Sequence, residues 1–262
     1  MSDPGPAVVA ARQGHVLTLT LNRPARRNAL DTAAWEILSA ELRSASTDDS
    51  VRCVVLTGAG HTFCAGADIS SVPAGHPLVR IRHISRVAEL LHQFPKPVIA
   101  QVEGYAIGAG WNLALCCDLV VASTSAQFSQ IFVSRGLSPD FGGSWLLPRL
   151  AGLQNAKRLA LLAERIGADE AKQLGLVTWV VEPAEIDSFV ADIAARLAAM
   201  PPIAISQTKE LLNAAAVSTF GEALQAETRA QTINYATEDA PRAIRAFKDH
   251  EEVTFTGRWA LE

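Results

Sequence analysis

Few residues in this sequence are suited to binding a metal ion, and none has the spacing of a metal site. The 262 residues include four cysteines and six histidines, with no Cys-x-x-Cys or His-Glu-x-x-His pattern. The cysteines lie in or beside apolar segments, where a thiol is most often a buried and inert side chain; they are Cys53, Cys64, Cys116 and Cys117. We therefore expect no metal and four unreactive thiols.

The sequence also lacks a strong excess of one charge and any long apolar run. Its 23 basic and 27 acidic residues give a net charge of -4, which provides no electrostatic footprint for nucleic acid. No apolar run approaches the roughly 18 residues of a membrane span. Met1–Pro6 has neither the basic region nor the apolar core of a signal peptide. We expect a globular, cytoplasmic protein with no nucleic-acid or membrane partner.

Glycine is concentrated in the stretch from Gly104 to Cys117. Three glycines in seven residues stand between a strand-like segment and an apolar segment of helical character. Backbone N–H groups left exposed at such a helix start suit a phosphate or a developing oxyanion. Such a turn can also serve only to let a strand and a helix pack closely. A second glycine-rich loop, Cys64–Asp68, likewise follows a strand.

The order of strands and helices favours an α/β layer architecture. A period-two pattern predicts a strand at Val16–Leu21, and Asp31 is placed to cap a helix that runs to about Ser44. Further strands are predicted at 51–57, 97–102, 118–122 and 177–181, and helices at 78–93, 155–164 and 168–174. After Pro183 four helical segments follow, at 185–200, 203–215, 219–235 and 241–250. This change predicts a core at residues 1–200 and a helical region at 201–262.

Several short motifs, individually weak, resemble the crotonase superfamily (the enoyl-CoA hydratase/isomerase family) in their order and spacing. They extend over nearly the whole chain and include both glycine-rich loops. The others are Leu21-Asn-Arg-Pro, Asn28-Ala-Leu, Val54-Val-Leu-Thr-Gly, Lys96-Pro-Val-Ile-Ala, Gly142-Gly143 with Pro148-Arg149-Leu150, Ala171-Lys-Gln-Leu-Gly-Leu-Val, and Ala246-Phe with Phe255-Thr-Gly. The resemblance implies a spiral of ββα units, with a helical C-terminal part used in a homotrimer or dimer of trimers.

The same resemblance implies an acyl-CoA thioester substrate, with coenzyme A present only as part of it and no other cofactor. The N–H groups of Ala67 and Ala109 would form an oxyanion hole for the thioester enolate. The phosphates of coenzyme A would lie near Ala25, Arg26 and Arg27, and the adenine near Ala65 to Ala67. Arg26 and Arg27 can equally be solvated surface charges.

Two positions depart from the pattern of the family's hydratases. Where those enzymes carry two glutamates, this sequence has Asn112 and Phe132, and neither side chain can act as a general base. Asn112 can still orient a substrate or a water. Hydration by two carboxylates is therefore not expected.

One carboxylate remains at a position suited to proton transfer. Asp140, in Ser138-Pro-Asp-Phe-Gly-Gly-Ser-Trp145, resembles the aspartate of isomerases in the family, including the epoxide/enoyl-CoA isomerases of phenylacetate breakdown. Apolar neighbours such as Trp111, Phe132 and Trp145 would line the substrate site and raise the pKa of Asp140. Each of these aromatic residues can equally belong to the hydrophobic core. A cap on the helix that begins near Gly142 is the alternative role for Asp140.

Three functions follow from these residues. The first is an acyl-CoA isomerase that shifts a double bond, or opens a ring, by proton transfer through Asp140. The second is an enoyl-CoA hydratase or lyase that uses Asp140 and a water. The third is a crotonase-like protein that binds acyl-CoA without catalysis. Asp68, directly after Ala67, is a further substrate-site candidate whose alternative role is to brace its loop.

Overall fold

The structure is a computed structural model that describes residues 5–70 and 76–260. Most of Met1–Pro6, where a signal peptide was sought, lies outside these ranges. The strands are β1 Val8–Gln13, β2 Val16–Leu21, β3 Cys53–Gly58, β4 Val98–Val102, β5 Tyr105–Ile107, β6 Leu119–Ser123, β7 Gln127–Ser129, β8 Arg165–Gly167 and β9 Trp179–Val181. The helices are α1 Thr32–Thr47, α2 Pro77–His92, α3 Ala109–Leu115, α4 Gly143–Ala151, α5 Leu153–Leu162, α6 Ala168–Gln173, α7 Ile186–Ala199, α8 Pro202–Ala215, α9 Phe220–Tyr235 and α10 Asp239–Asp249. Short 3₁₀ helices occupy Pro24–Arg26 and Ile131–Arg135.

The main sheet has six strands in the order β1-β2-β3-β4-β6-β9. Only the β1–β2 pair is antiparallel, and the remaining pairs are parallel. Strand β4 is buried along its whole length, as expected for a parallel strand with helices on both faces. On one face α7 packs Ile186 and Val190 against Val55 and Ile99, and the larger core lies on the other face. The predicted α/β class is confirmed.

A second, three-stranded sheet positions the site. Strand β5 pairs in parallel with β7, and β7 pairs antiparallel with β8. Each of these strands has only three residues. That length is too short to show an alternating pattern, so the sequence analysis did not predict them.

Apart from strand β1, which the sequence did not predict, the longer elements agree with the sequence predictions to within a few residues. Asp31 caps α1 as expected, because its carboxylate accepts a hydrogen bond from the Ala34 N–H at 2.9 Å. The sequence predicts a helix start near Gly142 but not the extent of α4, which runs from Gly143 to Ala151 with Pro148 inside it. Proline is disfavoured in a helix interior, which is why this stretch lacks a clear helical signature.

Helices α7 to α10 follow the last strand, as the sequence predicts. Helix α8 has no buried residue of its own and is fixed by Lys209, whose Nζ lies 2.8 Å from Asp118 Oδ2. The division near residue 200 stays a prediction. No single helix of the described residues has the length and apolar character of a membrane span. The pair α7 and α8 passes that test only together, and it is bent by 105°.

Candidate active site

The two glycine-rich loops contact each other through their main chains. The N–H of Cys64 donates to Tyr105 O at 2.8 Å, and the N–H of Ile107 donates to Cys64 O at 2.9 Å. This approach requires glycine at position 110, where a Cβ atom would lie only 2.3 Å from Cys64 O. Gly66 is required on the opposite loop, since it has a φ of 94° and its Cβ would lie 2.7 Å from Ile107 O.

Two N–H groups remain unengaged where these loops meet. Within the described ranges, neither the Ala67 N–H nor the Ala109 N–H donates a hydrogen bond. Ala109 is the first residue of α3, whose N–H groups have no acceptor inside the helix. A Cβ on Gly66 would lie 3.5 Å from Ala109 N, so Gly66 and Ala109 are close, and Ala67 directly follows Gly66 in the chain. The arrangement can present two amide donors to one oxygen atom.

Asp68 is held by its own loop and by an arginine that the sequence analysis missed. Its side chain accepts hydrogen bonds from the Ser70 hydroxyl at 2.6 Å and the Ser70 N–H at 3.0 Å. Its other oxygen lies 3.0 Å from the guanidinium of Arg23, which also pairs with Asp31. The hydroxyl of Ser70 is the largest cause that lowers the pKa of Asp68. Asp68 is therefore ionised and braces the Ala67 loop.

The Asp140 carboxyl is partly buried, and few polar groups replace the water that burial removes from it. Its Oδ1 is buried and has no hydrogen-bond partner among the described residues. Burial raises the pKa of Asp140 from 3.8 to about 6, against a small lowering by its own backbone N–H. The alternative role as a helix cap is wrong. The N-cap of α4 is Gly142, in the left-handed conformation, and no side chain caps it.

Helix α3 connects Asp140 to the glycine loops. Ala109 and Asn112 are three residues apart and so share one face of this helix. The side-chain amide of Asn112 donates to the main-chain carbonyl of Asp140 at 2.9 Å. The buried ring of Phe132 lies beside Gly108, where a Cβ atom would meet its Cζ at 3.5 Å, and its contact with a substrate stays a prediction.

The other two aromatic side chains predicted to line the substrate site, Trp111 and Trp145, pack against neighbouring side chains. Trp111 is fully buried, with its ring centroid 5.4 Å from that of Phe128. Trp145 is half-buried and stacks under the Arg149 guanidinium, which lies 3.9 Å from its centroid. Both rings therefore serve packing here, and their contact with a substrate stays a prediction.

A cationic patch lies beside the first glycine loop. Ala25, Arg26 and Arg27 are exposed, and Ala65 donates its N–H to Arg27 O at 2.9 Å. The guanidiniums of Arg27 and Arg165 each lie 5.5 Å from the ring centroid of Tyr105. Sequence reasoning missed Arg165, because only the pairing of β8 with β7, and of β7 with β5, brings it to this place.

The four cysteines are buried. Burial raises the pKa of Cys53, Cys64 and Cys116 to about 12, and it raises the pKa of Cys117 well above its usual value. The expectation of buried thiols is confirmed, and burial of this kind disfavours the reactive thiolate. In the described ranges, no group of three or more His, Cys, Asp and Glu side chains is arranged to hold a metal ion.

The fold brings two unengaged main-chain N–H groups to neighbouring loops and holds the main chain of the partly buried Asp140 against α3 through Asn112. Main-chain N–H groups and a carboxyl of this kind are chemically suited to stabilising an oxyanion and moving a proton. The profile of the family described as "Enoyl-CoA hydratase/isomerase" matches residues 11–258. The chain belongs to this enzyme family.

Similar proteins carry both reaction names. The chain is 36% identical over 250 residues to 1,2-epoxyphenylacetyl-CoA isomerase of Escherichia coli K12, covering 93% of this chain and 95% of that protein. It is also 36% identical over 253 residues to a short-chain-enoyl-CoA hydratase of Clostridium acetobutylicum, covering 94% and 96%. The crystal structure of an enoyl-CoA hydratase from Bacillus anthracis aligns with a TM-score of 0.92 at 33% identity, covering 96% of this chain and all of that one. The predicted crotonase-like fold is confirmed, and these names support an acyl-CoA enzyme without deciding between the two reactions.

Proposed function

We propose that the protein is an acyl-CoA isomerase in which Asp140 transfers the proton. The carboxylate removes a proton from a carbon of the acyl chain, and the electron pair moves into the thioester carbonyl. The N–H groups of Ala67 and Ala109 hold the resulting enolate oxygen. Asp140 then returns the proton to another carbon, so that the double bond has shifted and the enzyme is regenerated.

The observation that carries this proposal is the state of the Asp140 carboxyl. Its pKa near 6 lets it act as a base at neutral pH and still hold the proton it has taken. Its unpartnered Oδ1 is available for a proton transfer. Asn112, at the position of a hydratase glutamate, offers no second carboxylate.

The test compares wild type with Asp140→Asn on 3-enoyl-, 3,5-dienoyl- and 2-enoyl-CoA. We expect the wild type to isomerise at least one of the first two, and the variant to lose most of that turnover. The matched control is Asp192→Asn, the same change at an exposed residue of α7, which should keep wild-type turnover. Full isomerase activity in Asp140→Asn would refute the proposal, and so would binding of CoA esters with no turnover of any of them.

Hydration is the second candidate, and the same unpartnered Oδ1 favours it. A buried carboxylate oxygen without a protein partner is suited to accept a hydrogen bond from a water molecule. In that case Asp140 activates the water that adds to a 2-enoyl-CoA. Wild-type turnover of 2-enoyl-CoA alone, lost in Asp140→Asn, would favour this reaction over isomerisation.

We further propose that the cationic patch binds the phosphates of coenzyme A, with the adenine near Ala65. Arg26 and Arg27 are exposed, and Arg165 adds a third guanidinium through its approach to Tyr105. Arginine suits phosphate because its planar guanidinium donates several hydrogen bonds.

The assembly we propose is a homotrimer or a dimer of trimers, with contacts through α8 to α10. These helices expose large apolar side chains, among them Phe220 at 80% and Phe247 at 84% of their surface. Association would bury them. Light scattering should give three or six times the chain mass of 27.9 kDa. A monomer mass would contradict the assembly.

A further inference from the structure

The main chain of Asp140 is fixed by a buried pair of amide side chains. Asn112 and Gln130 are both fully buried. Asn112 Nδ2 donates to Asp140 O at 2.9 Å, and Asn112 Oδ1 accepts from Gln130 Nε2 at 2.7 Å. The three residues therefore form a chain of hydrogen bonds that runs from the start of a 3₁₀ helix, through α3, to the Asp140 loop. Buried amides of this kind fix one another's orientation.

The loop is shaped around this contact. A Cβ on Gly143 would lie 2.3 Å from Asn112 Nδ2, so only glycine leaves space for the amide. The Gly143 N–H donates to the same Asp140 carbonyl at 2.9 Å. Phe141, which stands between Asp140 and Gly143 in the chain, has a φ of 49°. Bulky residues rarely adopt this value unless their surroundings hold them there. Its buried ring stacks on Trp35 at 5.1 Å.

An asparagine is chemically suited to position 112 and a carboxylate is not. The amide donates to one partner and accepts from the other at the same time, and it carries no charge. An ionised aspartate there would have no proton to donate to the Asp140 carbonyl. Its negative charge would also disfavour ionisation of the Asp140 carboxyl.

The surroundings of Asp140 contribute no other charge to its titration. No charged side chain of the described ranges is among the causes of its pKa shift. Helix α3 contains no charged residue, Arg135 at the end of the neighbouring 3₁₀ helix is exposed, and Arg149 of α4 lies over Trp145. The position of the carboxyl, and with it the degree of burial, therefore decides how it titrates.

We propose that Asn112, oriented by Gln130, is a positioning residue that holds the Asp140 carboxyl in its desolvated place. This inference rests on the proposed function, in which Asp140 is the base. It gives Asn112 a task different from substrate contact, since both ends of its amide are engaged with the protein.

The test uses Asn112→Asp and Asn112→Ala, with kcat, KM and the pH profile of isomerisation as readouts. In Asn112→Ala the loop is released and the carboxyl becomes more hydrated, so its pKa should fall and the acidic limb should move to lower pH. In Asn112→Asp the new carboxyl is itself buried and titrates together with Asp140. Because the two negative charges repel each other, the pair should lose its last proton at a higher pH than Asp140 does in wild type, and the limb should move to higher pH. Both variants should lose kcat by roughly 10- to 100-fold, the scale of misplacing a catalytic group, with a smaller change in KM.

Gln130→Leu and Leu113→Ala separate positioning from simple loss of packing. Gln130→Leu removes the donor to Asn112 without changing a contact of Asp140, and should shift the limb in the direction of Asn112→Ala by a smaller amount. Leu113 is buried in the same helix on a different face, so Leu113→Ala should lower the melting temperature and leave the pH profile unchanged.

A direct titration keeps this inference separable from the proposed function. Carbon-13 NMR of aspartate-labelled protein, with Asp140→Asn used for assignment, follows the Asp140 carboxyl without any substrate. Opposite shifts of its pKa in Asn112→Ala and Asn112→Asp are expected. Unchanged titration and unchanged kcat in both variants would overturn the positioning role, even if Asp140→Asn is inactive. Full activity of Asp140→Asn would instead overturn the proposed function on which it rests.

Discussion

Changing Asp140 to asparagine tests the physical state of the site independently of its chemistry, through the free energy of unfolding. Burial raises the pKa of Asp140 from 3.8 to about 6. The folded protein therefore binds this proton more tightly than the unfolded chain, and stability falls as pH rises from about 4 through about 6. Each pKa unit is worth roughly 1.4 kcal/mol, so ionisation of Asp140 at neutral pH costs the fold about 3 kcal/mol.

Asparagine removes that cost because it has no charge to desolvate. Its amide must still be buried beside an unpartnered position, which offsets about 1 to 2 kcal/mol of the gain. We expect Asp140→Asn to be more stable than wild type by about 1 to 2 kcal/mol at pH near 7.5, and no more stable at pH near 4. Such a gain with loss of activity is common where a site stores unfavourable desolvation.

Urea unfolding at the two pH values, with protein concentration held constant for an associating chain, measures this difference. Asp192→Asn is the matched control, since that aspartate is exposed and its replacement should have little effect at either pH. A stability gain in Asp140→Asn that is the same at both pH values, or absent at pH near 7.5, would refute the desolvation argument.

Three further predictions concern the loops and the cationic patch. Ala109→Pro removes one amide donor at the first position of α3, where proline is tolerated, and should lower kcat by roughly 100- to 1,000-fold while circular dichroism stays unchanged. Gly110→Ala should yield little folded protein in a solubility and melting assay, because its Cβ would lie 2.3 Å from Cys64 O; a normal melting temperature would contradict that packing. Arg27→Ala should raise KM for an acyl-CoA several-fold at low salt and by less at high salt, because salt screens the attraction between charges. An unchanged KM would exclude Arg27 from phosphate binding.

The sequence by itself determined the α/β class and most of the longer elements, and it supplied the candidate residues of the site. These follow from local signals: the alternation in β2, the carboxylate that caps α1, and the glycines that two closely approaching loops require. Family-specific spacing added Asp140, Ala67 and Ala109. The two alanine side chains carry no chemical signal, because only the N–H groups of these residues are proposed to bind the enolate oxygen.

Tertiary structure decided which side chains face the site and how they titrate. Burial of the Asp140 carboxyl, the turning of Asn112 toward its main chain, and the placement of Arg165 beside Tyr105 all depend on contacts between segments distant in sequence. Asp140 is 28 residues from Asn112 along the chain. A local pattern cannot report such a contact, because desolvation and hydrogen bonding arise only when α3, the Gln130 segment and the Asp140 loop pack together.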